Sequence, residues 1–195
     1  MASAVSPIDR KEKLYTMEDL LAMPEDGMER WLIRGQLREK ELTRRNRFHA
    51  VLEARLAQLL GVWLDAQPEP RGQVYSGEAG VWLRRDPDTS VGIDVVYFPP
   101  SVVSAQSGNT SMVEGVPTLA IEILSPSDVK KEVTEKIDDY LANGIPLVWV
   151  IDPDYETITV HRPGLPTELF NTTHQLSADP HLPGFNVPVA RIFRR

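Results

Sequence analysis

The feature that most constrains the fold is a run of apolar residues at positions 118–124, interrupted only by the carboxylate of Glu122. A continuous apolar run of this length, bounded by turn residues, predicts a strand that is buried on both faces and is therefore central in a sheet. An ionised side chain is costly to bury without a partner. We therefore expect a cation, a hydrogen-bond donor or a functional group to face Glu122.

Two long amphipathic helices are predicted on either side of this strand in the sequence. The first covers residues 45–62, and Glu53 falls at the edge of its apolar face. The residues of that face are His49, Leu52, Leu56, Leu59, Leu60 and Trp63. The second helix follows N-cap candidates at residues 125–128 and ends at Gly144. Its apolar stripe consists of Val129, Val133, Ile137, Tyr140 and Leu141.

Shorter elements fill the rest of the chain. Thr16 resembles a helix N-cap, and a glycine-containing turn at residues 35–36 predicts a hairpin. Further strands are predicted at residues 73–75, 79–84, 92–98, 147–151 and 157–161, whereas residues 101–114 are predicted to form a surface excursion. This order predicts an α/β fold with a mixed sheet flanked by helices. Because 195 residues can bury one sufficient core, we expect a flexible tail at residues 1–14 and a single domain at residues 15–195.

The composition argues against several classes of function. The chain has no cysteine, which removes thiolate metal sites and cysteine nucleophiles and favours the reducing cytoplasm. The longest apolar stretch, residues 145–151, is too short to cross a membrane. The net charge of −7 argues against a strong nonspecific hold on nucleic acid, so any such binding must be local. The basic segment at residues 38–47 is one local candidate, and a solvated basic edge is the alternative.

Carboxylates carry the chemistry that remains, because phosphate-binding loops, a GxSxG elbow and a zinc-like histidine pair are all missing from the sequence. A second acid, Asp94, interrupts another apolar strand. Acids on adjacent strands can face each other, and oxygen ligands alone suit Mg²⁺ or Mn²⁺. The backbone carbonyl of Ile123 is a further candidate ligand, and a bound ion would compensate both charges of Asp94 and Glu122. The alternative is that each acid is paired only with a lysine or with backbone donors.

A lysine near a scissile phosphate lowers the barrier electrostatically. On the second long helix, Lys136 and Lys130 border the apolar stripe on opposite sides, and Lys136 is preferred because it lies two turns into the helix. The alternative is that Lys136 pairs with an acid one turn earlier on the same helix. Tyr140 is interpreted as a packing residue, and Glu29 and Glu78 are interpreted as acids outside any constellation.

Sequence around these residues resembles a known family. The similar stretches are GIDVVY (92–97), LAIEILSPS (119–127), EKIDDY (135–140), GIPLVWVIDP (144–153) and LPGFNVPV (182–189). A strand Asp, a strand Glu and a helical lysine resemble the PD-(D/E)XK nuclease pattern, with Leu124 at the usual strand position of the lysine. From about residue 16 to residue 193, the chain resembles the Uma-two family of bacterial restriction endonucleases.

The resemblance implies a restriction-endonuclease-like fold and a Mg²⁺-dependent (or Mn²⁺-dependent) endonuclease that hydrolyses DNA. It implies that Asp94 and Glu122 hold the ion, that Lys136 serves the reaction, and that His49 or Glu53 on the first long helix borders the site. His49 is otherwise interpreted as a satisfied core histidine. A homodimer is expected, since cutting both strands needs two centres. The alternative function is a binding or interaction module that keeps the nuclease fold without cleaving.

Overall fold

The structure is a computed structural model that describes residues 13–41, 46–107, 111–126 and 128–194. The helices are α1 (Met17–Leu21), α2 (Arg47–Asp65), α3 (Pro100–Ser104), α4 (Lys130–Ala142) and α5 (Val189–Phe193). The strands are β1 (Met28–Ile33), β2 (Gln36–Glu41), β3 (Gln73–Arg84), β4 (Thr89–Phe98), β5 (Val113–Glu114), β6 (Leu119–Ile123), β7 (Val148–Asp152), β8 (Thr157–His161), β9 (Glu168–Asn171), β10 (Gln175–Ser177) and β11 (Asn186–Pro188).

Nine strands form one mixed sheet with the order β2-β1-β4-β6-β7-β8-β9, while β3 pairs with both β4 and β5. The pair β6–β7 is parallel, and α4 supplies the crossover connection that parallel strands need. The neighbouring strands β4 and β8 pair with β6 and β7 in antiparallel orientation. The apolar strand that contains Glu122 lies in the middle of this order, as its composition predicts. The predicted mixed α/β sheet flanked by helices is therefore confirmed.

The two faces of the sheet are covered by different helices. On one face, α2 and α5 pack over side chains such as Val95, Ile121 and Trp149. On the other face, α3 and α4 pack over the alternate residues of the same strands, such as Val96 and Ala120. This alternation follows from the two-residue period of a strand, so consecutive apolar residues of a central strand are all buried.

Several predicted boundaries differ from the structure for physical reasons. The two strands predicted at 73–75 and 79–84 are one strand, β3, bent by a bulge at Gly77 and Glu78. The predicted surface excursion contains α3 and β5. Helix α4 has Val129 at its N-cap, because Asp128 Oδ2 instead accepts a hydrogen bond from the Ser125 N–H at 2.7 Å. The Thr16 cap is confirmed, with a reciprocal bond to Asp19.

Some predictions fall partly outside the described residues. The described residues do not include positions 1–12 of the predicted tail, Arg44 and Arg45 of the basic segment, or Ser127. The division into a tail and a single domain stays a prediction. Within the described ranges, no helix combines the length and the apolar character needed to cross a bilayer.

Candidate active site

The candidate site lies in a gap along one edge of β4. β1 pairs with this strand at Ser90, and β6 pairs with it at Val95, Val96 and Tyr97. Asp94 lies between the two pairings. On the opposite edge of β4, the β3 bulge sets Gly77 and Glu78 against Asp94, because Ser76 pairs with Val95 and Ala79 pairs with Ile93. Bulges bend a strand and re-aim its side chains, which explains why the local geometry changes at this point.

The carboxylate of Asp94 is almost fully buried in this gap, with 4% of its side chain exposed. Its Oδ2 atom accepts a hydrogen bond from the Ile123 N–H at 2.7 Å, and its Oδ1 atom lies 3.2 Å from His49 Nε2. Burial alone raises the pKa of Asp94, but the neighbouring His49 and the Ile123 N–H outweigh burial and hold the pKa below its usual value. Asp94 is therefore anchored next to Glu122 as an ionised group.

Glu122 is also held at both oxygens. Lys136 Nζ lies 2.7 Å from Glu122 Oε2, and the Tyr140 hydroxyl donates to Glu122 Oε1 at 2.7 Å. Burial raises the pKa of Glu122 above its usual value in spite of Lys136, and the charge of Asp94 raises it further. The cation that faces Glu122 is thus Lys136, and the same ammonium group also lowers the pKa of Asp94.

The two candidate lysines occupy different places. Lys136 lies in the second turn of α4 and reaches inward, while its side chain remains 37% exposed. Lys130 is the first residue of α4 and is exposed. Six residues correspond to about 240° of rotation around a helix, so Lys130 points away from the side of α4 that carries Lys136. The structure brings Lys136, rather than Lys130, to the carboxylates.

His49 and Glu53 lie one turn apart on α2, at the side of the gap opposite α4. The His49 ring is buried, with Nε2 facing Asp94 and Nδ1 3.7 Å from Glu53 Oε2. Within the described part of the chain, neither ring nitrogen makes a hydrogen bond of good geometry. His49 is therefore a buried histidine whose ring faces the carboxylates of Asp94 and Glu53.

Tyr140, Glu29 and Glu78 are site neighbours that the sequence did not reveal. The Tyr140 hydroxyl binds Glu122 and lies 3.3 Å from the Gly92 carbonyl oxygen, so Tyr140 is more than a packing residue. A Cβ atom added to Gly92 would lie 2.6 Å from Glu78 Oε2 and 3.5 Å from Glu29 Oε1. Both acids therefore lie near Gly92, at the border of the gap.

Glu78 reaches the gap through an unusual backbone conformation. Its φ angle is +56°, and a non-glycine residue in this left-handed region costs on the order of 1–3 kcal/mol. Such residues are concentrated at functional sites. The one signal available in the sequence was the Gly77-Glu78 break inside an otherwise alternating strand.

Asp94 and Glu122 are the candidate donors for a hard divalent cation. Among the described residues, no group of three or more His, Asp and Glu side chains is arranged to hold a metal ion. Mg²⁺ is commonly bound through one or two carboxylates while it keeps several waters. Asp94 and Glu122 supply two such carboxylates, and burial raises the pKa of Glu122 in spite of the neighbouring Lys136.

Comparison with known proteins supports a nuclease-like fold. The Uma2 family model, described as "Putative restriction endonuclease", matches residues 17–190. A solved structure, described as "a putative nuclease belonging to DUF820 from Anabaena variabilis ATCC 29413", is similar with a TM-score of 0.73 and 22% identity. The similarity covers 91% of this chain and 97% of that one. No curated protein matches the chain.

Proposed function

We propose that this chain, which belongs to the Uma2 family described as "Putative restriction endonuclease", is a Mg²⁺-dependent endonuclease that hydrolyses phosphodiester bonds of DNA. Asp94 and Glu122 are the proposed metal ligands, with the backbone carbonyl of Ile123, and Lys136 is the proposed catalytic lysine. The observation that carries this proposal is the contact of 2.7 Å between Lys136 Nζ and Glu122 Oε2, next to the buried Asp94. Mn²⁺ has similar ligand preferences and is the proposed substitute.

Each proposed group has a role that follows from its surroundings. A divalent ion supplies Lewis-acid stabilisation of phosphate oxygens and lowers the pKa of water. The Lys136 side chain is 37% exposed while its ammonium group contacts Glu122, so this group can reach a phosphate and stabilise the negative charge that develops there. Tyr140 and the Ile123 N–H fix the orientations of Glu122 and Asp94. The carboxylates therefore need little reorganisation when a substrate arrives.

The test is cleavage of plasmid DNA and of duplex oligonucleotides in Mg²⁺ or Mn²⁺. We expect Asp94→Ala, Glu122→Ala and Lys136→Met each to lower the cleavage rate by about 10²-fold or more. Lys131→Met is the matched control, because Lys131 lies on the same helix with 82% of its side chain exposed, and it should cleave like the parent. Cleavage that survives both carboxylate substitutions would refute the assignment.

The second candidate function is a nuclease-fold binding module that does not cleave. The observation that favours it is the surplus of acids around one lysine, since Glu29, Glu53 and Glu78 border the gap together with the two proposed ligands. A protein that binds DNA and Mg²⁺ but leaves every substrate intact would support this candidate.

The proposed assembly is a homodimer, because cutting both strands of a duplex needs two centres. Analytical ultracentrifugation of the parent, with and without duplex DNA, tests it; a monomer under both conditions would contradict a dimer.

The proposed location is the cytoplasm, which suits a chain without cysteine. Cell fractionation tests this second point.

A further inference from the structure

A row of cations runs along the β1–β2 hairpin on the same side of the sheet as Lys136. The row consists of Arg34 in the turn and of Arg38 and Lys40 on the edge strand β2. Arg38 pairs with Trp31, and Lys40 pairs with Glu29. Residues directly opposite each other share a face of the sheet, and Trp31 packs into the same core cluster as Tyr140. The side chains of Arg38 and Lys40 therefore belong to the α4 face.

Contacts with α4 and the loop before it place this row beside the candidate site. Lys40 Nζ lies 3.7 Å from Asp128 Oδ1, in the loop that joins the strand of Glu122 to the helix of Lys136. Arg34 Nη2 lies 3.8 Å from Asp139 Oδ1 on α4. Burial raises the pKa of Asp139, while Arg34 and Arg38 oppose that rise, so both guanidinium groups lie near this carboxylate. The hairpin cations therefore border the helix that presents Lys136.

Arg34 and Lys40 are paired only loosely, and Arg38 donates a hydrogen bond to Gln36 Oε1 at 3.3 Å. The carboxylate partners of Lys40 and Arg34 lie at 3.7 and 3.8 Å, and 45% of the Lys40 side chain and 64% of the Arg34 side chain remain exposed. Arg30, on the other face of the same hairpin, is instead 13% exposed and binds Asp26 and Glu39 at 2.7 Å each. Exposed pairs at the longer distance are worth roughly 0–1 kcal/mol, so a stronger anion can replace them at little cost.

We propose that Arg34, Arg38 and Lys40 bind the phosphate backbone of duplex DNA beside the scissile phosphate. The inference rests on the proposed function and adds the surface that holds the substrate. The net charge of −7 and the acids around the gap both repel DNA, so binding next to the site requires a local row of cations. Side chains two residues apart on a strand are separated by about 7 Å, which is about twice the axial rise per nucleotide of one DNA strand. Neighbouring cations can therefore meet separate phosphates.

The alternative role for charges on β2 is protection of an exposed sheet edge from pairing with another chain. Binding measurements distinguish the two roles. The probe is a fluorescently labelled duplex oligonucleotide, titrated with the full chain at several salt concentrations in Ca²⁺, which takes oxygen ligands as Mg²⁺ does. The test variant is Arg38→Gln/Lys40→Gln. The matched control is Arg71→Gln/Arg191→Gln, which removes the same charge from residues near α2 and α5, on the opposite face.

Each phosphate contact contributes about 0.9 to the slope of log affinity against log salt concentration. The salt slope of the hairpin variant should therefore be smaller in magnitude by about 2. Its affinity for the duplex at about 0.1 M salt should be lower by a factor on the order of tens. The control should stay within about twofold of the parent. Arg38→Lys/Lys40→Arg keeps the charge and should keep the parent slope, and unchanged melting temperatures exclude unfolding as the cause of any loss.

Equal losses in the hairpin variant and the control, or no loss in either, would overturn the inference. Tighter binding of single-stranded RNA than of duplex DNA, with the hairpin cations needed only for the RNA, would also overturn it. Cleavage assays of the parent in Mg²⁺ separate the two proposals. Duplex binding that depends on the hairpin without any cleavage would refute the proposed function alone, whereas cleavage without this dependence would refute the inference alone.

Discussion

Tyr140→Phe removes one buried hydroxyl group and leaves the ring in place. The Tyr140 side chain is fully buried, and its hydroxyl donates to Glu122 Oε1 at 2.7 Å. The substitution leaves this carboxylate oxygen without its hydroxyl donor. A hydrogen bond to a charged group is worth about 1.5–3 kcal/mol. We therefore expect the free energy of unfolding to fall by about 1.5–3 kcal/mol, which lowers the melting temperature by about 3–12 °C for a chain of this size.

The assay is urea denaturation at neutral pH with a chelator present, so that bound metal contributes nothing to stability. Tyr155→Phe is the matched control, because Tyr155 is 80% exposed and should change stability by about 0.5 kcal/mol or less. In a Glu122→Gln background the hydroxyl meets a neutral acceptor, so the cost of Tyr140→Phe should fall to about 0.5–1.5 kcal/mol. A loss for Tyr140→Phe as small as that of the control would refute the reasoning.

Three further predictions concern the same gap. Mg²⁺ at about 100 times its dissociation constant should raise the free energy of unfolding of the parent by about 2.7 kcal/mol, which is measured through the rise in melting temperature. Mg²⁺ should leave the melting temperatures of Asp94→Ala and Glu122→Ala unchanged, and a shift in either variant would contradict the ligand assignment. Because burial raises the pKa of Glu122 in the folded state, the folded protein holds the Glu122 proton to higher pH than the unfolded chain does. The metal-free parent should therefore lose stability relative to Glu122→Gln as the pH rises above the unfolded pKa of 4.5. A difference between the two proteins that stays constant across a pH series of denaturation curves would contradict this prediction. Gly92→Ala should displace the Glu78 side chain, because its Oε2 atom would lie 2.6 Å from the new Cβ atom. The free energy of unfolding should change by about 1 kcal/mol or less, because the Glu78 carboxylate is at the flexible end of its side chain. A loss above about 3 kcal/mol in chemical denaturation would show that the surroundings cannot move.

Much of the fold was predictable because apolar periodicity reports which sides of an element are buried. β6 carries Glu122 within an otherwise apolar run, and the stripe of α4 places Ile137 and Tyr140 on its buried side. The same helical periodicity put Lys136 at the border of that stripe, from which its ammonium group reaches Glu122. Local chemistry also marked the capped start of α1 at Thr16.

The sequence by itself determined a mixed sheet flanked by two long helices, with a carboxylate buried in a central strand that required a compensating group. Only the tertiary structure decided what surrounds that carboxylate. The gap along β4, the bulge that brings Glu78 toward Gly92, and the bond from Tyr140 to Glu122 all depend on how distant segments pair. Periodicity along one segment reports burial, whereas sheet register and helix docking decide which side chains from different segments meet.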